Sequence, residues 1–138
     1  METHVADIAS AIQMAVAPVF LLTAIATLIN VLNARLSRSI DRRRALDKMI
    51  GEAQDASAIE HLHVERAVHV HRLRVIYFGI FSAVLAALMI CLVVVGAFVG
   101  ALLTVEVSRV IAVLFIAAMV AMIMSLLLFL YEVFLMLK

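Results

Sequence analysis

Four of the chain's five histidines, His61, His63, His69 and His71, lie within one short stretch. On a helix, His61, Glu65 and His69 follow one another at four-residue steps and share a face. Imidazole and carboxylate at that spacing could hold a transition metal or titrate near neutral pH. The plainer reading is a solvated helix face, because only two histidines and one glutamate align. A second candidate is Glu132, an acidic residue inside an otherwise apolar run. A lone carboxylate in hydrocarbon costs several kcal/mol, so it must reach water, take up a proton or find a cation. Arg35 and Arg38 lie at the matching depth on the first helix, just past its apolar segment, which suggests either a buried ion pair or a gate that responds to protons or cations.

A third set is spread along that first segment. Gln13, Thr23, Thr27 and Asn30, continued by Ser37 and Asp41, stay within an arc of roughly 120° at about 100° per residue. Such a stripe either hydrogen-bonds packed helices together or lines a hydrated path, with Thr27 and Asn30 as its narrow ring. Leu21, Leu22, Ile25, Leu28 and Leu32 occupy the opposite face, which is expected to meet lipid. Pro18 removes a hydrogen bond to the Met14 carbonyl and is expected to bend the helix. Gly96 and Gly100 form a small-xxx-small pair for close helix packing, matched by Ala117, Ala121 and Ser125. Cys91, the single cysteine, has no disulfide partner and reads as a small packing residue. No phosphate-binding glycine loop, nucleophile and base pair, or pair of carboxylates at hydrolytic spacing is present. An enzyme is therefore not expected, and no cofactor is called for.

The elements that position these residues follow from composition. With 67% hydrophobic residues in 138 and a mean hydropathy of +1.19, the chain has more apolar surface than a small water-soluble core can hide. A spanning helix needs roughly 20 apolar residues, and three stretches qualify: 8–33, 75–103 and 110–137. They form a single membrane domain over 1–138. Residues 104–109 are too few for anything but an antiparallel hairpin. Nine of the 11 Lys and Arg lie between Arg35 and Arg74, while the N-terminal tail has none. Positive charge marks the cytoplasmic side, so the N-terminus is expected outside and the C-terminus inside. Tyr77 and Tyr131 then fall near the inner interface. The tail lacks the basic start of a cleavable signal, so the first span is expected to be retained. Interleaved acidic residues and a net charge of +1 argue against nucleic acid as a partner.

Residues 34–74 read as a cytoplasmic helical hairpin, with arms Ala34 to Ile50 and Ala58 to Arg74. Leu36, Ile40, Leu46 and Ile50 could meet Ile59, Leu62, Val70 and Leu73 along a thin seam. The turn is expected near Gly51, with Ser57 and Glu60 as a capping box for the second arm. Arg35, Arg38 and Arg42 share a face beneath the inner headgroups, where anionic lipid attracts each by about 1 kcal/mol.

The run IQMAVAPVFLLTAIATLINVL followed by RLSRSIDRRRAL resembles the opening of a family of small bacterial inner-membrane proteins defined by a domain of unknown function. Pro18, Phe20, Arg35, Leu36, Arg38, Asp41, Arg42 and Arg44 match its pattern, and LLLFLYEVFL around Glu132 is similar to its end. The resemblance implies a multi-pass bacterial membrane protein and carries no activity to transfer. The expected architecture is thus an all-α integral membrane protein, with three transmembrane helices and a hairpin formed by extensions of the first two. Three helices cannot enclose a pore, so a homo-oligomer is expected. Its polar stripes would line an ion path, or its hairpin would dock a cytoplasmic protein partner.

Overall fold

A computed structural model describes residues 1–138 as three helices and no strands: α1 (Glu2–Glu52), α2 (Ala56–Leu103) and α3 (Ser108–Leu137). At about 1.5 Å per residue, α1 and α2, with 51 and 48 residues, greatly exceed the roughly 30 Å hydrocarbon thickness of a bilayer. Each helix contains a window long and apolar enough to cross a membrane. The apolar parts of α1 and α2 therefore continue without a break into the charged stretch between Arg35 and Arg74.

Only 17 of the 138 residues are buried within the chain, too few for a water-soluble core, so most of the apolar surface faces lipid. The membrane-spanning regions are thereby integral to a bilayer. α2 is the central element and packs against both α1 and α3. Its contact face is built of small residues: Ala83 and Ala86, with Ile90, meet Ile25 of α1 and Ala118 of α3. Leu21, Leu22, Leu28 and Ile29 of α1 and Phe115, Ala121 and Met122 of α3 close around this centre. Gly79 completes the fit, since a Cβ built there lies 3.8 Å from both Leu32 methyls and from Leu128 Cβ. Large aliphatic side chains thus seat against small ones, which is how helices gain dispersion contact when water supplies no drive.

This packing reverses one expectation. Leu21, Leu22, Ile25, Leu28 and Leu32 do not meet lipid; Ile25 and Leu32 are buried, and the others pack on the core. Their bulk matches the small face of α2, so the interior of the fold claims them. Pro18 is buried in α1, which continues as one helix on both sides of it. Cys91 is exposed and is not a packing residue within the chain.

The first connection is Ala53–Asp55. Ala53 leaves the helix in an extended conformation at φ −72° and ψ 133°, and Asp55 is the N-cap of α2, its carboxylate accepting from the Ser57 backbone N–H at 3.3 Å and from Ser57 Oγ at 3.0 Å. The capping box expected from Ser57 and Glu60 therefore gives way to Asp55, and Gly51 sits inside α1. An aspartate in extended geometry reaches the free N–H two residues further on. The second connection turns at Thr104, whose φ of 52° and ψ of 34° place a β-branched residue in the left-handed region. Gly100 faces Val107 here, and a Cβ at Gly100 would collide with the Val107 side chain.

Two hydroxyls tie α2 to α3. Ser125 Oγ, fully buried, donates to the Gly79 carbonyl at 2.8 Å, and Ser82 Oγ donates to the Ala121 carbonyl at 2.5 Å. Interhelical bonds of this kind contribute about 0.6 kcal/mol each in bilayers.

Candidate functional site

The polar face of α1 points away from its neighbours. Gln13, Thr23, Thr27, Asn30, Ser37 and Asp41 are all exposed, opposite the buried line of Ile25, Leu32 and Leu46. Thr27 Oγ1 donates to the Thr23 carbonyl at 3.0 Å within the helix, whereas the side chains of Gln13 and Asn30 bond to nothing in the chain. A carboxamide in hydrocarbon without a partner costs a few kcal/mol.

A half-enclosed space rich in charged residues lies where the three helices leave their apolar regions. A pocket of about 230 Å³ is lined by Arg35, Arg38, Ser39 and Arg42 of α1, His69 and Arg72 of α2, and Glu132 and Met136 of α3. Arg35 and Glu132 meet here, Nη1 to Oε2 at 2.5 Å, with side chains 24% and 5% exposed. The same guanidinium lies 3.3 Å from Met136 Sδ and 4.9 Å from the centroid of the Phe129 ring. This contact joins α1 to α3 directly. Arg38, the other candidate, donates from Nε to its own helix at the Ala34 carbonyl, 3.3 Å away, and makes no ion pair.

Beyond the pocket, α1 and the first half of α2 are cross-linked twice. Arg42 Nη2 lies 2.6 Å from Glu65 Oε1, and Arg66 Nε lies 2.9 Å from Asp47 Oδ1. Leu46 and Leu73 are buried along this seam, and Leu36, Ile40, Ile50, Ile59, Leu62 and Val70 are half-buried. The hydrogen bond from Arg42 holds the Glu65 carboxyl below its ordinary value, against a smaller opposing effect of burial. His69 is also lowered: burial disfavours its cation first, then Arg72 and Arg42 repel it, while Glu65 pulls the other way.

His61, Glu65 and His69 do not assemble as a metal site. Glu65 is engaged by Arg42 and stands 3.9 Å from His69 Nε2, His61 is exposed, and no three His, Cys, Asp or Glu side chains converge anywhere. A nearby arginine competes more effectively for the carboxylate than a neutral imidazole on the same helix.

Arg72 escaped the reading of the sequence. Its Nη2 donates to the Leu135 carbonyl at 2.7 Å, near the C-terminal end of α3, and its Nε is buried with no acceptor. A guanidinium at that end satisfies a carbonyl with no partner in its own helix and meets the negative end of the dipole. The cue was its seven-residue spacing from Gly79, Ala86 and Val93, all buried, which puts Arg72 on the packed face of α2. At the opposite end of the bundle, a wider groove of about 860 Å³ runs between α1 near Asp7 and Pro18 and the α2–α3 connection near Glu106.

No curated protein and no solved structure matches the chain. The family model described as "Protein of unknown function (DUF2721)" matches residues 15–138, a span that takes in the polar face from Thr23 inward, the basic pocket and all three apolar regions. The chain is a membrane protein of the DUF2721 family.

Proposed function

We propose that the chain acts as a homo-oligomer in the bacterial inner membrane, its subunits gathering the polar faces of α1 around a common axis as the wall of an ion path. The observation that carries this reading is the outward position of Thr23, Thr27 and Asn30. In a single chain these groups meet acyl tails, an arrangement that costs free energy and that association around an axis relieves. The N-terminus faces outside and the linked arms between Arg35 and Arg74 face the cytoplasm, as the distribution of Lys and Arg supports. In that orientation the arms surround the inner mouth of the path.

Oligomer mass in mild detergent and ion flux from liposomes test the reading together. Asn30→Cys is expected to cross-link between subunits, and Asn30→Leu with Thr27→Val to change flux. A monomer, or flux indifferent to both substitutions, rejects the path. A second reading, a scaffold whose arms dock a cytoplasmic protein, is supported by the unbroken charged extensions of α1 and α2. It predicts subunit cross-links without flux.

A further inference from the structure

We propose that the pocket between Arg35, Arg38, Arg42 and Arg72 is a binding site for a phosphate group, presented either by an anionic lipid headgroup or by a free phosphorylated solute. This assignment is independent of ion conduction and of the oligomeric reading.

Its basis is a charge imbalance in a defined space. Four guanidinium groups line the pocket. Glu132 neutralises Arg35 and Glu65 neutralises Arg42. Arg38 and Arg72 have no carboxylate partner, which leaves two positive charges in a half-enclosed site where several helices converge. Arg72 is fixed by its bond to the Leu135 carbonyl, and that bond leaves the buried Nε with its proton unused. A buried donor without an acceptor costs about 1–3 kcal/mol.

The donor chemistry favours a phosphate group over a halide. Guanidinium forks match tetrahedral oxyanions and deliver paired hydrogen bonds to a singly charged phosphodiester, and two uncompensated charges suit a phosphate monoester still better. Ser39 adds a hydroxyl and His69 an imidazole to the same wall. His69 is held neutral chiefly by burial, with Arg72 and Arg42 adding to the effect against Glu65. A volume of about 230 Å³ accepts one phosphate group with bridging water, given roughly 30 Å³ per water molecule. Exposed Tyr77 and Tyr131 flank the region, and such residues sit at headgroup level.

The test uses the full-length purified protein with two probes. In nanodiscs, native mass spectrometry compares retention of phosphatidylglycerol or phosphatidic acid with phosphatidylcholine. In detergent stripped of lipid, thermal stability is followed against inorganic phosphate, with chloride at equal ionic strength as control. Arg38→Gln is the principal variant, because its side chain is exposed and bonds only to its own helix. Arg72→Gln is the second. Each is expected to weaken binding about tenfold, the weight of one charge-assisted hydrogen bond. Arg43→Gln and Arg44→Gln lie outside the pocket and are expected to leave binding unchanged.

Selective retention of anionic lipid that Arg38→Gln weakens about tenfold supports the site with lipid as its source. A stabilising shift with inorganic phosphate that needs about tenfold more phosphate in the same variant supports it with a free phosphate. Absence of both effects overturns the proposal. Equal losses on Arg43→Gln and Arg38→Gln overturn it as well, because they reveal only diffuse attraction to a basic surface.

Discussion

Replacing Glu132 with leucine isolates what joins α3 to α1. The Glu132 carboxylate is 5% exposed and holds Arg35 at 2.5 Å, with Arg35 24% exposed. Removing one partner from a fully buried pair costs about 3–5 kcal/mol, because the other charge is left unmatched. Arg35 is partly solvated and its long stem can swing its head toward water, so the figure falls to about 2–3 kcal/mol. The Phe129 ring and Met136 Sδ, which Arg35 already touches, cannot replace a full negative charge. At about 3 °C per kcal/mol for a chain of this size, Glu132→Leu lowers the midpoint of thermal unfolding in mild detergent by roughly 5–10 °C. Arg35→Met alone is expected to cost at least as much, since it strands the more buried carboxylate. The double variant Arg35→Met with Glu132→Leu replaces both charges with apolar groups, and it is expected to return to within about 1 kcal/mol of the parent. Additive losses in the double variant, or a Glu132→Leu midpoint equal to the parent's, would refute the coupling.

The remaining predictions concern the linked arms, the connections and the helix contacts. His69 has a lowered proton affinity in the fold, from an ordinary value of 6.5, so the separated arms take up the proton more readily than the folded ones. Stability of the arms therefore rises with pH through that region and is lost as pH falls below about 6.5. Hydrogen exchange across residues 40–70 at pH 7.5 and 5.5 checks this, and His69→Gln is expected to flatten the response. Glu65, lowered from 4.5, adds stability that is present above that value and is lost at still lower pH, with the same sign. At Gly51 an added methyl group would meet nothing within 4 Å, so Gly51→Ala is expected to raise stability by about 0.5–1 kcal/mol. Gly100→Ala is expected to lower it, because Val107 must move; matched thermal scans in detergent decide both. Ser125→Ala removes the buried bond to Gly79 and is expected to cost about 0.5–1 kcal/mol in the same scans.

Apolar runs of spanning length, the short connections and the long charged extension were all legible in the residues, because lipid imposes length and hydropathy directly on the chain. Which way α1 turns its polar side was not. Periodicity groups Thr23, Thr27 and Asn30 on one face but says nothing of which face a neighbour will take. The decision lay in size: Ile25 and Leu32 fit the small surface of Gly79, Ala83 and Ala86, and that complementarity is visible only once two helices are laid together. The same limit hid the pocket. Arg35, Arg38 and Arg42 share a face that helical spacing reveals, and matching depth brings Glu132 to Arg35, but Arg72 joins them through tertiary packing alone. The start of α2 was mistaken by two residues because Ser57 and Asp55 are both good caps, and the backbone conformation at Asp55 decided between them.

Neither α1 nor α2 has a joint where it leaves the bilayer. For a straight helix at 1.5 Å per residue, the segment past Arg35 is about 25 Å long, so a 10° change of tilt inside the membrane carries its tip through on the order of 4 Å.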